Sequence, residues 1–111
     1  MNESIDARTI AELLKAVAHP TRVMILQELV AGTKCVSDME ELLPARQANI
    51  SQHLAVLKAA GLVIDRAEGA RRVYRVDAAG LAVLRAWLDR FWDGALDAFK
   101  SEAERTLTED N

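Results

Sequence analysis

At 111 residues, 50% apolar and 28% charged, with a formal net charge of −3, the chain is long enough for one compact domain over 1–111 and too short for two. No stretch approaches the roughly 20 consecutive apolar residues of a membrane span, no basic and apolar leader opens the sequence, and a single cysteine excludes an internal disulfide, so a soluble protein in a reducing, cytoplasmic setting is expected. The mean charge hides its distribution: residues 1–42 carry four Lys and Arg against seven Asp and Glu, residues 43–76 six against two, and residues 77–111 four against eight.

In chain order, Ile10, Leu13, Leu14 and Val17 fall at i, i+3, i+4 and i+7 and predict an amphipathic helix over 6–17. His19-Pro20 ends it and opens a second helix, which Val23, Leu26, Leu29 and Val30 carry to Gly32. Ser37 and Glu40 have the spacing of a capping box, with Cys35 as the alternative cap, for a short helix that turns Met39, Leu42 and Leu43 inward and stops at Pro44. A fourth helix over 46–60 has Ile50, Leu54 and Leu57 on one face and ends at Gly61. The short link between the third and fourth helices is that of a helix-turn-helix.

The period then changes from helical to alternating. Leu62-Val63-Ile64 and Val73-Tyr74-Arg75-Val76 flank a polar tip, Glu68 to Arg72, and predict a two-stranded wing over 62–76. Asp77 caps a long last helix, 78–104, with Leu81, Leu84, Leu88, Phe91, Ala95 and Phe99 on one stripe that Trp87 and Trp92 widen. A polar tail from Thr106 is expected to fray. The fold class is therefore mainly α with a small two-stranded β wing, a winged helix-turn-helix. A module of this size buries only about two thirds of its unfolded surface, so the surplus apolar positions of the first and last helices, Ile10, Leu13, Leu14, Leu84, Leu88, Phe91 and Trp92, are expected to pair two copies.

The cationic third of the chain coincides with the fourth helix and the wing, which is the distribution a polyanion would meet. A major groove about 12 Å wide admits one helix, whose exposed side chains reach base edges while neighbouring cations hold phosphates. With Ile50, Leu54 and Leu57 inward, Gln47, Ser51 and Gln52 point away from the core, Asn49 and His53 share an adjoining face, and Arg46 and Lys58 bracket the helix. Gln and Asn can pair bidentately with adenine, and Ser is an adaptable partner. The wing adds Arg71 and Arg72, with Arg66 and Arg75 nearby. Double-stranded DNA is the expected partner, and no membrane is.

Four blocks together resemble the ArsR/SmtB family of bacterial transcriptional regulators. They are His19-Pro20-Thr21-Arg22-Val23-Met24-Ile25-Leu26, Cys35-Val36-Ser37-Asp38-Met39, the run from Asn49 to Val63 containing Ser51-Gln52-His53-Leu54, and Arg71-Arg72-Val73-Tyr74-Arg75-Val76. The resemblance spans roughly residues 8 to 100. It implies a homodimer joined by the first and last helices, bound to an inverted-repeat operator, usually repressing, and released by a small-molecule or oxidant inducer. It also implies a DNA contact for His53, against which stands a local hydrogen bond that only orients the helix. The family's metal-responsive members carry a second cysteine where this chain has Ser37, and others use histidines on the last helix, which here has none. No metal and no cofactor are therefore expected.

Cys35 remains as a candidate redox sensor against the plainer reading of a buried packing residue. Arg22 is open between a phosphate contact and an ion pair. An enzyme with Cys35 as nucleophile and His19 as base lacks an orienting group and an oxyanion hole. A helical dimerisation or adaptor module without DNA binding would have no structural need to keep its arginines clustered.

Overall fold

The computed structural model describes residues 6–109. Asp110 and Asn111 of the expected tail lie outside the described residues. Helix α1 (Ala7–Val17) starts at Asp6, whose side chain accepts from the Arg8 amide, and buries Ile10, Leu13 and Ala16. Helix α2 (Pro20–Ala31) starts at His19, whose ring accepts from the Thr21 amide ahead of a proline that needs no donor there. Helices α3 (Val36–Leu42) and α4 (Gln47–Ala59) follow, with Ile50, Leu54 and Leu57 of α4 wholly buried. Each such side chain contributes about 1.5–3 kcal/mol over leaving it in water, so their face fixes the rotation of the helix about its axis.

Two details of α3 and the wing correct the expectations. The cap of α3 is Cys35, with its amide donating to Asp38 Oδ2 at 3.1 Å, rather than the Ser37 and Glu40 pair. The sheet has three strands in place of two. Strand β1 (Lys34–Cys35) pairs antiparallel with β3 (Arg71–Val76), which also pairs with β2 (Val63–Glu68), giving the order β1-β3-β2. β1 joins through Lys34 opposite Tyr74 and Cys35 opposite Val73. The β2–β3 hairpin runs in register from Val63 opposite Val76 to Glu68 opposite Arg71, and Gly69 turns it at φ 64°.

Ile25, Met39, Ile50, Leu54, Leu57, Leu62 and Val63 form the dry centre, closed on one side by Leu13 and Ala16 of α1 and by Leu84. Leu84 belongs to α5 (Ala78–Glu109), a helix of 32 residues that runs past the expected end at 104. Where a frayed polar tail is expected from Thr106, the helix continues, with the Thr106 hydroxyl donating to the Glu102 carbonyl and that of Thr108 to the Glu104 carbonyl. Past Trp87 every residue from Leu88 to Thr108 is exposed, so this part of α5 stands clear as a rod, and the molecule measures 70 × 36 × 20 Å. No described helix is long and apolar enough to cross a membrane.

Candidate nucleic-acid interface

Burial of Ile50, Leu54 and Leu57 at i, i+4 and i+7 turns the opposite face of α4 outward, and Arg46, Gln47, Asn49, Ser51 and Gln52 are all exposed there. Arg46 is the N-cap residue but offers no side-chain cap. That duty falls to Glu40 of α3, whose carboxylate accepts from the Gln47 amide at 3.2 Å and so ties the two helices of the helix-turn-helix together.

His53 differs from its neighbours. It is half-buried, its Nδ1 lies 3.1 Å from Arg22 Nη1, and its ring centroid is 4.4 Å from that of His19. Burial first, then His19 and Arg22, hold its pKa below the ordinary histidine value. Arg22 itself donates through Nε to the Ala16 carbonyl, and among the described residues no ion pair to an acid is seen for it. His53 thus has a hydrogen-bond partner on α2, 31 positions back along the chain, a link that leaves no signature in residue spacing.

Among the cations expected to hold phosphate, Lys58, Arg71 and Arg72 are all exposed, but two already share an acid. Asp65 of β2, with a side chain 8% exposed, receives Lys58 at 2.9 Å and Arg72 at 3.2 Å. The Lys58 hydrogen bond and charge, then those of Arg72, hold its carboxyl below the usual carboxylate range against the opposing effect of burial. Arg66 pairs with Glu68 at 3.0 Å along the wing edge. Asp65 went unnoticed in the sequence, although alternation along β2 sets it opposite Tyr74 and beside Arg72.

Cys35 is buried where β1 runs into α3, its sulfur 3.1 Å from Ser37 Oγ and 3.7 Å from Arg71 Nη1. The Cys35 amide and thiol, aided by the charges of Arg71 and Lys34, lower the pKa of Asp38. Among the described residues no group of three or more His, Cys, Asp and Glu is placed to hold a metal ion.

The seven apolar positions expected between two copies divide into two sets. Ile10, Leu13 and Leu84 are buried within one chain, whereas Leu14 is 40% exposed, Leu88 51%, and Phe91 and Trp92 64% each. Leu96 and Phe99 extend the exposed set along α5.

A helix with an outward polar face, braced by a second helix and flanked by a cationic hairpin, defines a winged helix-turn-helix. The sequence profile described as "Bacterial regulatory protein, arsR family" matches residues 19–65. The chain is 47% identical over 85 residues, 77% of its length and 79% of the relative's, to the HTH-type transcriptional regulator Rv2034 of Mycobacterium tuberculosis. It is 39% identical over 74 residues to the HTH-type transcriptional repressor SmtB of the same organism, covering 67% of this chain and 53% of that one, so it spans about half of that relative. Among solved structures, the homodimeric winged helix-turn-helix DNA-binding domain Mb0332 of Mycobacterium bovis superposes with a TM-score of 0.64 at 29% identity, over 88% of this chain and 95% of that one. The chain belongs to the ArsR family of bacterial regulatory proteins and is a transcriptional regulator with a winged helix-turn-helix fold, not an enzyme.

Proposed function

We propose that the protein is a homodimeric, sequence-specific repressor that binds an inverted-repeat operator and is released by an inducer. Gln47, Asn49, Ser51, Gln52 and His53 read or position in the major groove, and Arg46, Lys58, Arg71 and Arg72 hold the phosphate backbone. One observation carries this reading: Ile50, Leu54 and Leu57 are 0% exposed, which leaves the polar face of α4 no place but the surface. The repressor SmtB and the homodimeric domain Mb0332 support repression and pairing by their likeness. The exposed stripe of Leu88, Phe91, Trp92, Leu96 and Phe99 on α5, with Leu14 exposed on α1, supports pairing through α1 and α5, since such a stripe is more than a monomer ordinarily leaves in water.

Binding to promoter-length duplex as a function of salt, followed by footprinting, tests the reading. Affinity that falls steeply with salt and a footprint on two symmetric half-sites are expected. Absence of binding at low salt would overturn it in favour of an adaptor. A thiol-sensing version of the same regulator is favoured by one contact, Arg71 Nη1 at 3.7 Å from Cys35 Sγ, through which oxidation would disturb a wing arginine. Oxidant-induced release that persists in Cys35→Ser would dispose of that version.

A further inference from the structure

We propose that Arg22 is a positioning residue for DNA reading: by donating to His53 Nδ1 from α2, it holds that ring neutral with its proton on Nε2, so that the recognition helix offers a hydrogen-bond donor at position 53. The inference rests on the DNA-binding reading above and adds to it a residue outside α4 and the wing.

A guanidinium has only donors and keeps its protons, so the 3.1 Å contact between Arg22 Nη1 and His53 Nδ1 can be made only to a ring lone pair. A neutral imidazole with its lone pair on Nδ1 carries its hydrogen on Nε2. His19 is fixed in the same sense, because its Nδ1 accepts from the Thr21 amide at 3.1 Å. Among the described residues, the titratable and charged groups that act on His53 are His19 and Arg22. Protonating Nδ1 would break the Arg22 bond and set a cation against the guanidinium, with the His19 ring 4.4 Å away. The depressed pKa of His53 agrees.

Arg22 is itself held at two points on different elements, the Ala16 carbonyl at the end of α1 and the ring on α4. These contacts use two of its five N–H donors and fix the guanidinium between α1 and α4, so its effect on DNA is assigned to the ring it orients. The Nε2–H suits an acceptor on the duplex, either a phosphate oxygen or the N7 or O6 edge of a purine.

Long-range nitrogen–proton NMR correlations on the free full-length protein at neutral pH should report the Nε2–H tautomer for His53. An Nδ1–H tautomer or an imidazolium would overturn the proposal. Arg22→Met should mix the tautomers, move the His53 titration upward and weaken operator binding on the order of tenfold. On a His53→Ala background the same substitution should cost nothing further, whereas additive losses would show that Arg22 touches DNA itself and would overturn the proposal. His53→Gln, whose amide nitrogen lies near the place of Nε2, should keep most of the affinity that His53→Asn loses, and equal losses would count against the donor role. That pair and the wild-type tautomer decide the matter if Arg22→Met does not fold. A loss confined to the operator marks a base edge as the acceptor, and a loss shared with random duplex marks a phosphate. Failure of the unaltered protein to bind any duplex would refute the DNA reading separately from the tautomer, which is measured without DNA.

Discussion

Lys58 Nζ lies 2.9 Å from Oδ1 of Asp65, an ion pair that joins the last turn of α4 to the first strand of the wing. The other carboxylate oxygen takes Arg72 at 3.2 Å, so a single acid holds two of the cations assigned to the DNA backbone. It places them and at the same time subtracts from the positive field they present. Asp65→Asn should therefore steepen the salt dependence of binding and raise affinity for random duplex more than for the operator. Competition titrations measure the ratio, and an unchanged ratio would mean that the pair does not set the wing.

Acid should loosen the same region. Asp65 and Asp38 both titrate below the usual carboxylate range, Asp65 through Lys58 and Arg72 and Asp38 through the amide and thiol of Cys35. The unfolded chain then binds more protons than the folded one as pH drops below about 4, so their stabilisation is full above that value and is lost as pH falls through the depressed values. Denaturant unfolding at a series of pH values should show Asp65→Asn less stable than the parent at neutral pH and less sensitive to acid. An identical acid slope in the two proteins would contradict this.

Two glycines of α5 should respond in opposite directions to the same change. A Cβ on Gly80 would sit 1.8 Å from the Gly61 carbonyl oxygen, which is backbone and cannot turn aside, whereas one on Gly94 meets nothing within 4 Å. Gly80→Ala should destabilise by about 1–3 kcal/mol. Gly94→Ala should stabilise by about 0.5–1 kcal/mol through helix propensity. Midpoints of urea unfolding compare the two directly.

Base reading and phosphate holding should separate in mutants. Gln47→Ala or Ser51→Ala, on the outward face of α4, should cost about 1–3 kcal/mol on the operator and little on random duplex. Arg71→Ala should weaken all sequences alike and lower the salt slope by about one. Identical profiles for the two kinds of variant would remove the division of labour.

Pairing and folding should also come apart. Trp92 is 64% exposed in one chain and Leu54 is 0% exposed. Trp92→Ala should shift sedimentation toward the monomer with helix content retained, and Leu54→Ala should cost about 2–5 kcal/mol of fold stability. A Trp92 variant that sediments as the parent does would move the interface elsewhere.

What could be read from the sequence was whatever local chemistry declares. Pro20 marks a helix start because its ring presets the first turn, Gly61 marks a helix end at φ 81°, Gly32 ends α2 in extended backbone that needs no glycine, and the i, i+4, i+7 burial of Ile50, Leu54 and Leu57 sets the face of α4 as the spacing predicts. Strand β1 escaped because two residues have no period, and Lys34 and Cys35 become a strand only once Tyr74 and Val73 lie opposite. The links from Arg22 to His53, from Asp65 to Lys58 and from Glu40 to Gln47 join side chains on different elements, and composition records such residues without their partners.

The meeting of Gly61 and Gly80 has a mechanical consequence. Leu62, one residue on, accepts a backbone hydrogen bond from Asp77 at 2.9 Å, so main chain rests on main chain where α4 ends and α5 begins. Such a joint has no rotamers to absorb a shift. The foot of the long rod and the end of the reading helix therefore share one backbone seam, in which Gly61 and Gly80 carry no side chain that could be trimmed to make room.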